Sequence, residues 1–204
     1  MTQTLQKPDH YHALTTQSEP GKPLLFAFHG TGGDERQFFD LAQSLVPDVG
    51  VVSPRGDVSE MGAARFFKRT GEGVYDMADL ARATAKMADF IAAHKANYPD
   101  SPVYAFGYSN GANILAAVLM ARPDLFDRIG LLHPLIPWTP APVDLTDKKV
   151  LITSGQRDPI APQKATARLT DWFETNKATV TTALHPGGHE LQRNEVDALA
   201  ALFA

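Results

Sequence analysis

The sequence predicts an α/β fold: a mostly parallel sheet with helices on both faces and no separate lid domain. Three observations carry that expectation. Apolar runs of strand length alternate along the chain with segments of helical period. Those runs are continuously apolar, as strands covered on both faces require, instead of alternating apolar with polar. The stretch Val103 to Ala112 reads as a buried strand ending at Gly107, a sharp turn at Ser109 and an apolar helix launched from Asn110.

Taken in order, Tyr11 to Thr16 suits a short edge strand and Gln17 to Pro23 a polar turn. Leu24 to His29 is the first buried strand, ending in Gly30-Thr31-Gly32-Gly33-Asp34-Glu35. Phe38, Leu41, Ala42 and Leu45 then follow helical spacing, and Val49 to Ser53 is a second strand closed by Pro54-Arg55-Gly56. Asp57 to Gly73 reads as an irregular segment. From Tyr75 to Tyr98 the positions Met77, Leu80, Thr84, Met87, Ile91 and His94 share one helical stripe that Pro99 stops. After the central strand and helix come strands at Arg128–Leu132, Lys149–Thr153 and Val180–Leu184. Helices are expected at Lys164–Asn176 and Glu190–Ala204. With 204 residues and no internal repeat or linker, one domain over 1–204 is expected, 1–22 forming its edge strand and turn.

Composition narrows the function. A net charge of −4 and the lack of any concentrated basic face argue against a nucleic-acid partner. No run approaches the length of a membrane span, and the polar amino terminus lacks the apolar core of a signal peptide. The absence of cysteine removes thiol nucleophiles and thiolate metal sites and fits a reducing, cytoplasmic setting. No cofactor is expected. No metal site is expected either, because His10 and His12 fall in a polar amino-terminal tail.

Gly107-Tyr108-Ser109-Asn110-Gly111 is a complete G-x-S-x-G pattern with the strand before it and helix after it that a nucleophile elbow requires. Its two glycines lie where a Cβ would press on the crossing strand and helix. A serine hydroxyl needs a base near neutral pH, and the base needs a carboxylate to fix its tautomer. In the hydrolase arrangement the acid and then the histidine follow the serine in the chain, each after a later strand. Asp158, 49 residues beyond Ser109, and His189, a further 31 residues on, occupy those loops. His185 competes but sits at a strand end; Asp144 and Asp147 precede their strand and so lie at the wrong edge. The backbone N–H of Asn110 and of Thr31 are the candidate oxyanion donors, with His29 and Asp34 as scaffolding. Phe66, Phe67 and Trp138 are candidate pocket walls, and Arg65 reads as a solvated loop cation.

Together, Phe28-His29-Gly30-Thr31-Gly32-Gly33-Asp34-Glu35, Ser53-Pro54-Arg55-Gly56, Arg65-Phe66-Phe67, Gly107 to Asn113 and Gly188-His189 resemble the phospholipase/carboxylesterase family of α/β hydrolases. The likeness runs from about Pro23 onward, and is strongest to the bacterial branch linked to hydroquinone stress. It implies a Ser–Asp–His triad acting on small-molecule carboxylic esters or thioesters, often in a homodimer. Many members of that family have glutamine where Asn110 stands, so their lysophospholipid or protein-thioester preferences do not transfer. A dinucleotide-binding reading of Gly30 to Gly33 fails because G-x-G-x-x-G needs glycine where the chain has Glu35. A non-catalytic binding module would have to keep every triad member without using it.

Overall fold

The structure, a computed structural model, describes residues 11–204; the start of the predicted edge segment, His10 included, lies outside them. The elements run β1 (Ala13–Thr15), β2 (Leu24–Phe28), α1 (Phe39–Leu45) and β3 (Gly50–Pro54). Two hairpins follow, β4 (Val58–Glu60) with β5 (Ala63–Arg65) and β6 (Arg69–Gly71) with β7 (Val74–Tyr75), and then α2 (Met77–Ala96). The second half comprises β8 (Val103–Tyr108), α3 (Asn110–Ala121), β9 (Arg128–Leu132), β10 (Lys149–Gly155), α4 (Gln163–Thr175), β11 (Thr179–His185) and α5 (Arg193–Phe203).

Seven strands form one sheet in the order β1-β3-β2-β8-β9-β10-β11. Only β1 is antiparallel to its neighbour; the remaining pairs are parallel. The chain steps outward from β2 to β3, returns to the other side of β2 as β8, and then proceeds outward through β9, β10 and β11. The winding therefore reverses between β2 and β8, the point where open parallel sheets leave a crevice beyond their carboxyl ends. Register brings those ends level: Phe28 pairs with Gly107, Tyr108 with Leu132 and Gly155 with His185.

The continuous apolar strands are explained by two cores. Leu24, Phe26 and Phe28 point to one face, joining Leu80 and Met87 of α2, Ile114 and Val118 of α3, and Leu169 and Phe173 of α4. Leu25 and Ala27 point to the other, with Ala42 of α1 and Leu199 and Phe203 of α5. Helix α3 is buried from Asn110 to Leu119, which is why it is apolar nearly all round.

Three boundaries differ from the sequence reading. Residues 57–73 are not irregular: Val58 pairs with Arg65 across a turn that uses positive φ at Met61 and Gly62. Tyr75 belongs to β7, and α2 starts at Met77 because the Asp76 side chain caps it by accepting from Asp79 N–H at 3.0 Å. The last helix begins at Arg193 rather than Glu190, behind a capping box of Gln192 and Glu195. Among the described residues no helix is long and apolar enough to cross a membrane.

The tightest crossing is that of α3 over β2. A Cβ on Gly111 would collide with the backbone carbonyls of Phe28 and His29, and one on Gly107 with the backbone of Gly111. Gly111→Ala should therefore destabilise the fold by roughly 2–3 kcal/mol despite alanine's better helix propensity. Urea unfolding checks this: a lower midpoint with an unchanged slope is expected. An unchanged midpoint would show that the crossing can loosen.

Candidate active site

The elbow is strained where the motif requires it. Ser109 has φ 52° and ψ −114°, a region that a residue with a Cβ rarely enters. Its N–H donates to Leu132 O at 2.9 Å and its carbonyl accepts from Asn113 N–H at 2.9 Å, so the turn is tied to β9 below and α3 beyond.

The structure brings Ser109, His189 and Asp158 together. Ser109 Oγ lies 2.9 Å from His189 Nε2, and His189 Nδ1 lies 2.7 Å from Asp158 Oδ2. The histidine loop is held by Tyr108 Oη donating to His189 O at 2.6 Å and by Arg157 N–H donating to Gly187 O at 2.9 Å. The Gly187–Gly188 turn passes so close over Gly155 that a Cβ there would strike both carbonyls. Asp158 Oδ1 accepts the N–H groups of Ile160 and Ala161 at 2.8 and 2.9 Å. Burial opposes its ionisation. The Ala161 N–H, the rings of His133 and His189 and the Ile160 N–H more than offset that, so its pKa lies below the usual aspartate value.

Sequence reasoning missed the other side of Asp158. His133, the first residue after β9, has φ 52° and a fully buried side chain. Its Nδ1 sits 2.8 Å from the same Asp158 Oδ2, and its Nε2 lies 2.9 Å from Oε1 of the buried Glu195 on α5. The latter contact lies off the straight hydrogen-bond line, and the same Nε2 stands 3.4 Å from His185 Nε2. His185 Nε2 stands 3.3 Å from Glu195 Oε2, while its Nδ1 accepts Gly187 N–H at 3.0 Å. The only signal in the sequence was that a histidine ended a strand at the active edge. His133, His185 and Glu195 are close enough to surround an ion. However, the Gly187 hydrogen bond puts the His185 proton on Nε2, leaving no lone pair there for a metal.

The loop after β2 is built as a rigid turn. His29 Nδ1 donates to Gly30 O at 2.7 Å, and its Nε2 accepts Gly56 N–H at 2.9 Å. Burial keeps its pKa below the ordinary histidine value, so it is scaffolding. Gly32 N–H donates to Ala64 O and Gly33 N–H to Gly30 O, each at 3.0 Å. Glu35 anchors the turn from behind through Arg55, whose Nη2 reaches it at 2.7 Å. His12 Nε2 approaches Glu35 at 3.4 Å, so this histidine is docked on the fold and not part of a tail. Among the described residues the N–H groups of Thr31 and Asn110 donate to no other protein group. Both residues line the small cavity at Ser109.

None of the three expected pocket walls lines the cavity at Ser109. Phe66 and Phe67 are fully buried; Phe66 packs on Phe28 and His29, and Phe67 on Tyr75. Their backbone is pinned by Asn110 Oδ1, which accepts Phe66 N–H at 2.8 Å, and the rings go to the core as large apolar groups do. Trp138 packs on Tyr75 but faces a separate apolar groove of about 730 Å³ beside α2 and α3. The cavity at Ser109 is instead lined by Thr31, Arg65, Arg69, Tyr75 and Asn113. Arg65 is no solvated cation: it is 3% exposed, donating Nη1 to Thr31 Oγ1 at 2.7 Å and Nε to Phe67 O at 3.2 Å. Its Nε also lies 3.3 Å from Glu60, which pairs with Arg69 too.

Residues 1–194 match the family model described as "Esterase: Putative esterase". The chain belongs to that family. Among curated proteins it is 35% identical over 177 residues to "Putative hydrolase MhqD" of Bacillus subtilis (strain 168), covering 85% of this chain and 88% of that one. The Bacillus cereus carboxylesterase structure superposes with a TM-score of 0.90 at 32% identity, covering 96% and 94% of the two chains. YahD, solved with malic acid, superposes with a TM-score of 0.85 at 27% identity, covering 94% of this chain and 97% of that one. The esterase is thus an α/β hydrolase and an enzyme acting on esters.

The Glu35 anchor sets an acid limit on the fold. Its hydrogen bonds with Arg55 outweigh desolvation and lower its pKa from 4.5 to about 2. A depressed carboxylate pKa contributes stability that is present above the unfolded value and lost as pH falls through the folded one. Glu35→Gln should therefore be less stable than the parent esterase at neutral pH. The gap should close between about pH 4.5 and 2. Thermal unfolding of both proteins across that range tests it, and a constant gap would show that Glu35 acts only through shape.

Proposed function

We propose that the esterase cleaves small, polar carboxylic esters by double displacement at Ser109. His189 Nε2 takes the Ser109 Oγ proton as Oγ attacks the acyl carbon, and the N–H groups of Thr31 and Asn110 receive the developing oxyanion. Collapse expels the alcohol with the proton from His189, leaving an acyl-serine that water hydrolyses by the same steps. Asp158 keeps the Nδ1 proton of His189 on its own side, so Nε2 stays the acceptor. The observation that carries this reading is the line of contacts from Ser109 Oγ through His189 to Asp158, 2.9 and 2.7 Å long, starting from a strained elbow. A cysteine-free chain suits a cytoplasmic setting.

The walls favour a charged or polar substrate over a long acyl chain. Arg65 and Arg69 line the cavity beside Glu72, which holds Arg69 at 2.6 Å, and Arg65 Nη2 makes no hydrogen bond among the described residues. A guanidinium so placed suits a carboxylate on the acyl or alcohol part of the ester. The malic acid of the YahD structure, a dicarboxylic acid, supports the same class.

Ser109→Ala and His189→Ala should each lower kcat by about 10⁴-fold and abolish fluorophosphonate labelling. His185→Ala should keep most of the activity, since His185 touches neither Ser109 nor Asp158. Wild-type-like turnover in Ser109→Ala would remove the assignment. For the substrate class, kcat/KM is compared for two p-nitrophenyl esters of equal acyl length, one ending in a free carboxylate. The anionic ester should be preferred several-fold at low salt, and the advantage should shrink as salt screens it. A preference for the neutral ester at all salt concentrations would rule out the arginine subsite.

A further inference from the structure

The triad acid is shared. Asp158 Oδ2 accepts from two histidines, His189 at 2.7 Å and His133 at 2.8 Å, yet only His189 reaches the nucleophile. We propose that His133 is held as an imidazolium between Asp158 and Glu195, and that this fixed positive charge, set on the carboxylate oxygen that orients His189, extends esterase activity to lower pH. His133 is a positioning residue here, and the proposal rests on the triad reading above.

The argument is one of protons and charges. His133 Nδ1 faces Asp158 at 2.8 Å and needs a proton there. Nε2 lies 2.9 Å from Glu195 Oε1, and a nitrogen lone pair at that distance from a carboxylate oxygen would be repulsive. That Nε2 also stands 3.4 Å from His185 Nε2, but two buried carboxylates at 2.8 and 2.9 Å from the one ring favour a proton on His133 Nε2. Without the imidazolium, Asp158 and Glu195 would bury two negative charges side by side; with it, the three groups carry one. Burial opposes the charged ring, but the Glu195 and Asp158 contacts outweigh it and raise the His133 pKa above the ordinary histidine value. Glu195 is lowered correspondingly: burial raises it, and His133, Thr153 and the Gln192 N–H outweigh that.

The groups facing this ring come from every neighbouring element. They are Asp158 after β10, Glu195 on α5, His185 at the end of β11, His189 in the following loop and Tyr108 at the end of β8, with Glu190 outside His185. Tyr108 Oη is taken by His189 O and its pKa is raised to about 12, chiefly by burial, so it brings no charge. His185 is bound at Nδ1 by Gly187 N–H, and its Nε2–H faces Glu195 Oε2 at 3.3 Å. Glu190 is engaged with Gly188 N–H at the surface. That leaves His133 as the positive group on the Asp158 oxygen that His189 shares, its ring 5.1 Å from that of His189. A positive φ at a buried histidine is a conformation the surrounding fold must enforce, consistent with a placement selected for its contacts.

Two measurements test this. Long-range ¹H–¹⁵N correlation of the histidine rings in the intact esterase should show one ring, assigned by its loss in His133→Gln, with both nitrogens protonated between pH 6 and 8. An unprotonated Nε2 on that ring overturns the proposal, whether Glu195 is neutral or charged. This readout does not depend on turnover, so its failure is distinct from a failure of the triad reading. In pH–rate profiles, His133→Gln should move the acid limb of kcat/KM upward by about one pH unit, because the positive charge beside Asp158 is then gone. Glu195→Gln, which lets His133 give up its Nε2 proton, should move it in the same direction by less, and still reports if His133→Gln fails to fold. A lower kcat with an unmoved or downward-shifted limb would overturn the proposal in favour of a purely structural role.

Discussion

Everything at the active edge depends on how closely α3 crosses the carboxyl end of β2. Gly111 lies against the carbonyls of Phe28 and His29, and Gly107 against Gly111 itself, so the Ser109 turn and the loop after β2 are locked by contact between backbones. The elbow pays a conformational cost of about 1–3 kcal/mol at Ser109. A single fully buried leucine or phenylalanine contributes about 1.5–3 kcal/mol, and β8 and α3 bury Phe106, Ile114, Leu115 and Leu119 among others. Packing therefore outweighs the strain with room to spare.

The second organising feature is charge held out of water. A lone buried carboxylate costs several kcal/mol, and the esterase buries both Asp158 and Glu195. Each oxygen of Asp158 meets two donors, and Glu195 Oε2 also closes the capping box of α5 by accepting Gln192 N–H at 2.7 Å. The same carboxylate therefore starts a helix and faces His133. Arg65 plays a comparable double part on the opposite wall, joining the β5 hairpin to the Thr31 turn through a single guanidinium.

Much of this was legible in the sequence, for local reasons. Ser109, Asp158 and His189 could be read because each occupies a loop whose place is set by strand counting, and the elbow carries its glycines at fixed offsets. His133 and Glu195 were not legible: the pair lies 62 residues apart, and Glu195 looks like an ordinary first-turn acid on a helix whose apolar residues define the inner face. Phe66 and Phe67 were read as pocket walls because a loop was expected there. Once β4 and β5 pair, the hairpin turns both rings inward and leaves Arg65 facing the cavity. No apolar period announces that hairpin, since Ala63-Ala64-Arg65 carries no alternation.

The place of Glu195 in chain order bears on the protein's synthesis. Chains emerge from the ribosome amino end first and begin to fold before they are complete. Strands β1 to β10 and the elbow emerge first, and every one of those strands has a pairing partner within that span. The ring of His133 then faces an unfilled site until α5 emerges, because its second carboxylate and the cap of that helix arrive together on residue 195. A nascent chain thus makes its Ser109 turn before the charges around His133 are complete, and the final helix supplies the last of them.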